Sequence, residues 1–179
     1  MKQSFHAKII DILSRCTDMT IATVRPDGAP QATVVSFAHD GLLIYFGCGA
    51  DAQKAENIAH DRRVSITMTA PYKNWLEIEG LSIAGEASEV TTAREEVAVG
   101  QLMLERFPQI SGMQSPYAGE IKLFRVRPSL VSILDYTQGF GHTDLVAVNA
   151  DDIIQSRGSL RRQWAARGRD TPELLARGA

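Results

Sequence analysis

Apolar positions recur along this chain with two different periods. In FHAKIIDILSRC, Phe5, Ile9, Ile12 and Leu13 fall at helical spacing, which predicts an amphipathic helix laid against the body of the protein. From Met19 the period shortens to two. MTIATVR, QATVVSFA and LLIYFGC are rich in β-branched and aromatic residues, and Pro26-Asp27-Gly28 and His39-Asp40-Gly41 separate them. Proline presets φ and glycine accepts positive φ, so both tripeptides read as turns and the strands as an antiparallel meander. A helix over about 51–60 follows, then the strand VSITMT. WLEIEGLSIAGEASEV is long enough for one bent strand, with Gly80 and Gly85 as bulge or kink positions. Thr92-Ala93-Arg94-Glu95 fits a capping box opening a helix that runs to about Phe107, where Pro108 stops it.

Residues 108–119 are dense in Gly, Ser and Pro and read as a loop. EIKLFRV and SLVSILDY read as two strands divided by Arg127-Pro128, and SLRRQWAAR and ELLAR as short helices in the tail. Six or seven strands with few helices between them argue for an antiparallel barrel with helices outside. A doubly wound parallel sheet would need a crossover at nearly every strand pair.

Composition narrows the function. At 179 residues the chain suits one domain, and a formal net charge of -2 makes nucleic acid a poor partner. Apolar runs fall short of the roughly 20 residues that span a bilayer, and the start of the chain lacks the pattern of a signal peptide. Two cysteines make no disulfide framework, so a cytoplasmic protein without membrane partners is expected. Four scattered histidines predict no metal site.

No nucleophile elbow, phosphate-binding glycine loop or dinucleotide fingerprint is present. Glu77 and Glu79 alternate on one strand face and read as solvated. His60 reads as the end of its helix, where a cation complements the dipole. Cys48 reads as a small residue packed at a strand end. His142, in GFGHTDL, lies in a glycine-flanked loop of the kind that hosts functional groups. Lys54 raises a sharper question. A lysine in the first turn of a helix faces the positive end of the dipole, so its long side chain either bends away into water or shares an anion with the free N–H groups there.

The run from MTIATVRPDGAPQATVVSF through LLIYFGCGADAQKAENIAHDRRVSI to IEGLSIAGEASEV resembles the pyridoxamine 5'-phosphate oxidase-like family of flavin-binding split barrels. The late segment RVRPSLVSILDYTQGFGHTDLV is similar to that family's closing strand and following loop. The resemblance implies an α+β fold: an antiparallel six-to-seven-stranded split β-barrel (Greek key) with helices packed outside. Residues 1–149 would be the FMN-binding domain, and 150–179 a helical tail packed on it.

It further implies a homodimer with FMN at the subunit interface and a small-molecule substrate, hence an FMN-dependent oxidoreductase. A non-catalytic flavin carrier or sensor, or a deazaflavin- or haem-binding protein on the same fold, is the alternative. Lys54 and Gln53 would meet the FMN phosphate, and the Asp51 carboxylate would repel it unless it turned back to cap its own helix. Thr33, Val34, Val35 and Ser36 would lie along the flavin and ribityl chain. Gly47 and Cys48 would close the pocket, Trp75 would form an aromatic wall, and Gly141 and His142 would contact substrate.

Overall fold

A computed structural model describes residues 1–112 and 121–156 of the chain. Helix α1 (Gln3–Arg15) leads into β1 (Asp18–Val24), β2 (Pro30–Asp40) and β3 (Leu43–Gly49). After α2 (Gln53–His60) come β4 (Arg63–Thr69), β5 (Glu79–Glu89) and α3 (Ala93–Arg106). The long β6 (Ile121–Asp135), β7 (Thr143–Ala147) and α4 (Ala150–Ser156) complete the described residues. Every strand pairing is antiparallel.

The sheet runs β3-β2-β1-β4-β5-β6-β7, and β3 pairs back onto β6. Six strands therefore close a barrel, and β7 is an extra strand on the outer edge of β6. Helices lie outside, as the sequence predicts. Inward positions of alternate strands fill the barrel with Ile21, Phe37, Ile44, Phe46, Ile66, Ile83, Phe124 and Val131, all 2% exposed or less. Phe46 and Phe124 face each other across the closing β3–β6 seam, their rings stacked 5.3 Å apart. Burying side chains of this size contributes about 1.5–3 kcal/mol each. Ile9, Ile12 and Leu13 of α1 join the same core, on the face their spacing predicted.

The two strands expected around Arg127-Pro128 are one. Along one edge β6 pairs with β5 from Phe124 to Asp135, while its other edge is shared. Residues 121–126 face β3, and residues 130–134 face β7. Pro128 sits at the changeover, where its missing N–H costs no bond to either of those two neighbours. Opposite it the register slips between Ala84 and Gly85. A Cβ on Gly85 would overlap the Arg127 carbonyl, so glycine is what lets the strands approach at the bulge.

Other boundaries moved for local reasons. The strand expected from Trp75 starts only at Glu79, because Trp75–Glu77 form a 3₁₀ turn. Asn74 accepts from Leu76 N–H while Glu77 reaches back to the Asn74 N–H, a capping box the sequence reading overlooked. At the expected box Thr92 does accept from Glu95 N–H. Helix α2 starts at Gln53, two residues after Asp51. Strand β7 and helix α4 were not anticipated. Asn149 and Asp152 open α4 with reciprocal side-chain-to-backbone bonds of 2.9 Å, and its Ile153 packs into the core. The two tail helices expected within 159–177 lie outside the described residues. Among the described residues no helix is long and apolar enough to cross a membrane.

Candidate functional site

Strand β3 ends at Gly49, a turn follows in which Ala52 N–H donates to the Gly49 carbonyl at 3.0 Å, and α2 begins. Its N-cap is Ala52, whose methyl side chain cannot accept a hydrogen bond. Asp51 is exposed and does not cap the helix. Among the described residues the backbone N–H groups of Gln53 and Lys54 meet no acceptor, and Lys54, a half-buried residue, has no acidic partner for its ammonium. Two free N–H dipoles and one uncommitted cation thus belong to the first turn of one helix. That combination suits an anion.

Cys48 lies in the same field. Burial pushes its thiol pKa up, against the opposing pull of Lys54 and Lys122, so the thiol form is favoured. Gln53 is near Lys54 in sequence but turned away from the helix end. Its Nε2 donates to Glu56 Oε2 and Asn57 Oδ1, both at 3.0 Å. The missing Cβ of Gly47 would stand 3.3 Å from Leu123 Cδ2, so this glycine serves close packing of β3 on β6.

Thr33, Val34, Val35 and Ser36 lie on β2, with Val34 70% exposed on the outer face. Ser36 Oγ donates to Asp18 Oδ1 at 2.6 Å, which ties its hydroxyl to β1. Register places Val34 beside Thr20, then Thr67, Ser82, Ser132 and Leu145 in one row across five strand pairs. Ala32, Ala22, Ser65, Ala84, Leu130 and Ala147 make the row beside it. These side chains are small or apolar and exposed or half-exposed, so the outer face is smooth and nearly uncharged there.

Trp75, Gly141 and His142 belong to a second cluster. Trp75 is 60% exposed and not a core residue. Its ring lies 5.4 Å from Phe140 and 6.4 Å from Tyr136, and those two rings are 5.1 Å apart. Gly139 and Gly141, with φ of 138° and 73°, turn the loop, and His142 Nε2 stands 3.2 Å from Asp144 Oδ2. Sequence reading missed Tyr136 and Phe140. Two aromatics flanking a glycine in YTQGFG were the available signal.

Beneath this loop Lys8 and Arg15 of α1 both pair with Glu79, and Lys8 also pairs with Asp135. Glu79 is therefore an ion-pair acceptor, 14% exposed at its side chain, and not part of a solvated face. Burial raises the Asp135 pKa, but bonds from Lys8, Thr137 and Gln138 outweigh it and hold the carboxyl well below the usual range.

The structure does not bring the two clusters together within one chain. Gly49, just before α2, pairs with Ile121 at the start of β6, whereas Tyr136 follows its end. At roughly 3.3 Å per residue, about 45 Å of strand separates them. Among the described residues no group of three His, Cys, Asp or Glu could hold a metal.

The profile of the family described as Pyridoxamine 5'-phosphate oxidase matches residues 5–135. General stress protein 26 of Bacillus subtilis is 27% identical over 106 residues, 59% of this chain and 74% of that protein. A structure of a haem-binding protein from Mycobacterium smegmatis superposes with a TM-score of 0.69 at 22% identity, over 82% of this chain and 59% of that one. The chain thus spans less than two thirds of that protein. A structure described as an F420 reductase is similar at 27% identity and a TM-score of 0.55, over 68% of this chain and 94% of its own.

Proposed function

The chain belongs to the pyridoxamine 5'-phosphate oxidase family, and on that premise we propose that it is an FMN-binding oxidoreductase acting on a small organic substrate. One observation carries the reading: Lys54 has no acidic partner among the described residues, and the N–H groups beside it have no acceptor. That pairing fits a phosphate monoester, which takes hydrogen bonds from helix-end N–H groups and a charge-assisted bond from an ammonium. Bound FMN would supply a ring that accepts or releases hydride.

The chain's own residues would bind and orient it. Lys54 and the α2 N–H groups hold the phosphate, β2 offers backbone groups and the Val34 side chain along the ribityl chain and ring, and Cys48 stays a neutral thiol beside them. His142, held by Asp144, and the rings of Trp75, Tyr136 and Phe140 form the substrate side. Because those rings stand at the far end of β6, a site using both clusters takes one from each of two copies. The smooth outer face of the sheet, with 70% exposed Val34 and Leu145 at its margins, suits the homodimer this requires.

A deazaflavin is the second reading, supported by the likeness to an F420 reductase; its phosphate would meet the same lysine. The absorption spectrum of the protein purified without added cofactor separates the cases. Paired flavin bands, with FMN released on heating, support the proposal. A single violet band of deazaflavin type or a sharp haem band replaces the chemistry, and failure to take up added FMN overturns it. Lys54→Ala is expected to weaken FMN binding roughly ten- to hundredfold. Reduction of the bound flavin by a nicotinamide nucleotide distinguishes an enzyme from a carrier.

A further inference from the structure

Asn57 is the least exposed polar residue in the described chain, at 0%, and it is the hub of a network that the flavin-binding reading leaves unused. Its Nδ2 donates to Thr23 Oγ1 on β1 and to Gln31 Oε1 on β2, both at 2.9 Å. Its Oδ1 accepts from Gln53 Nε2 at 3.0 Å. Thr23 and Gln31 are register partners, so a single side chain of α2 clamps both strands of the β1–β2 hairpin at one rung.

The apolar anchors of α2, Ala55 and Ile58, are only 6% and 3% exposed. Apolar contact is not directional and tolerates a small rotation or slide of so short a helix. Hydrogen bonds lose strength steeply when bent, so the three bonds at Asn57 fix what the apolar contacts leave free. The helix end they fix carries Lys54, three residues before Asn57. The strand they fix carries Thr33 and Val35, which share the half-buried face of β2 with Gln31.

We propose that Asn57 is a positioning residue: through Thr23 and Gln31 it sets the anion-binding end of α2 against strand β2, so that phosphate and ring-side contacts engage one flavin together. The inference rests on the flavin reading above and adds a residue to it. Gln53 acts here as part of the clamp, its amide committed to Asn57 and Glu56 and not aimed at the phosphate.

The test compares the affinities of FMN and riboflavin, which differ by the phosphate, together with the thermal midpoint of each protein. Asn57→Ser removes the hub. Gln31→Ala breaks one arm at a half-buried position and keeps the test informative if the first variant does not fold. Both are expected to weaken FMN binding about tenfold while changing riboflavin affinity less than about twofold. The preference for FMN then contracts, as it does in Lys54→Ala.

A purely structural residue would lower the midpoint and leave that preference intact. If wild-type protein shows a preference that depends on Lys54 and Gln31→Ala retains it, the positioning role is overturned while the flavin reading stands. If wild-type protein binds neither flavin, or both equally, the phosphate site fails and the positioning role with it.

Discussion

Lys8 of α1 reaches Asp135, the last residue of β6, with Nζ 2.8 Å from Oδ2, and the same ammonium pairs with Glu79 on β5. A helix from the start of the chain is thereby bolted to the two strands that support the aromatic cluster. Burial opposes ionisation at both carboxyls, yet the hydrogen bonds and charges of Lys8 and Arg15 prevail, and both pKa values lie below their ordinary values of 3.8 and 4.5. A carboxyl whose pKa is depressed on folding adds stability above its unfolded pKa and loses it as pH falls. This contribution is therefore complete above about pH 5 and fades on further acidification. Asp135→Asn should be less stable at neutral pH and should show a shallower acid dependence, by up to about 1.4 kcal/mol per pH unit for one proton. Denaturant midpoints at pH 7 and pH 3 check this; equal acid slopes would show that Asp135 titrates normally.

Gly85→Ala should be costly. The added Cβ would overlap the backbone carbonyl of Arg127, which cannot rotate aside as a side chain could. Overpacking of this kind costs about 1–3 kcal/mol. Gly100→Ala, where a Cβ meets nothing within 4 Å, is the control and should be neutral or slightly stabilising, because it lies within α3. Thermal midpoints of the two variants compare them directly.

Thr67 lies near the middle of the outer row that runs from Val34 to Leu145. In a monomer an exposed Thr67→Lys should change stability by no more than about 0.5 kcal/mol. If two copies pack through this face, it buries two unpaired ammonium groups and dissociates them. Light scattering after size exclusion reads the outcome. A wild-type monomer, or a dimer indifferent to the lysine, would remove this face from the site.

Cys48 should react slowly with iodoacetamide at pH 7, because burial favours its thiol form despite the nearby lysines. Lys54→Ala removes one of the opposing positive charges. Its alkylation rate should fall further, with the pH profile shifted upward. A faster rate would show that Lys54 shields the sulfur and does not act through its charge.

The alternation of MTIATVR, QATVVSFA and VSITMT determined which side chains enter the barrel, since a strand with one buried face leaves no other register. The turns at Gly28 and Gly41, with φ of 84° and 61°, were equally legible, because a positive φ selects glycine locally. Lys54 stood out for a similar reason: helix polarity makes a first-turn lysine an anomaly that one sequence can reveal.

What closes the barrel was not local. Pro128 looked like a strand break because proline removes a donor. Only the tertiary structure places it where β3 has left β6 and β7 has not yet begun, so that no bond to those strands is lost. Glu79 looked solvated until α1, over sixty residues earlier, brought Lys8 and Arg15 to it. Asn57 was one polar position among others in the predicted 51–60 helix until Thr23 and Gln31 were seen to converge on it. Periodicity and turn chemistry act between neighbours in the chain and are written in it. The partners of a buried polar group are chosen by the closing of the sheet, and the sequence carries no local mark of that choice.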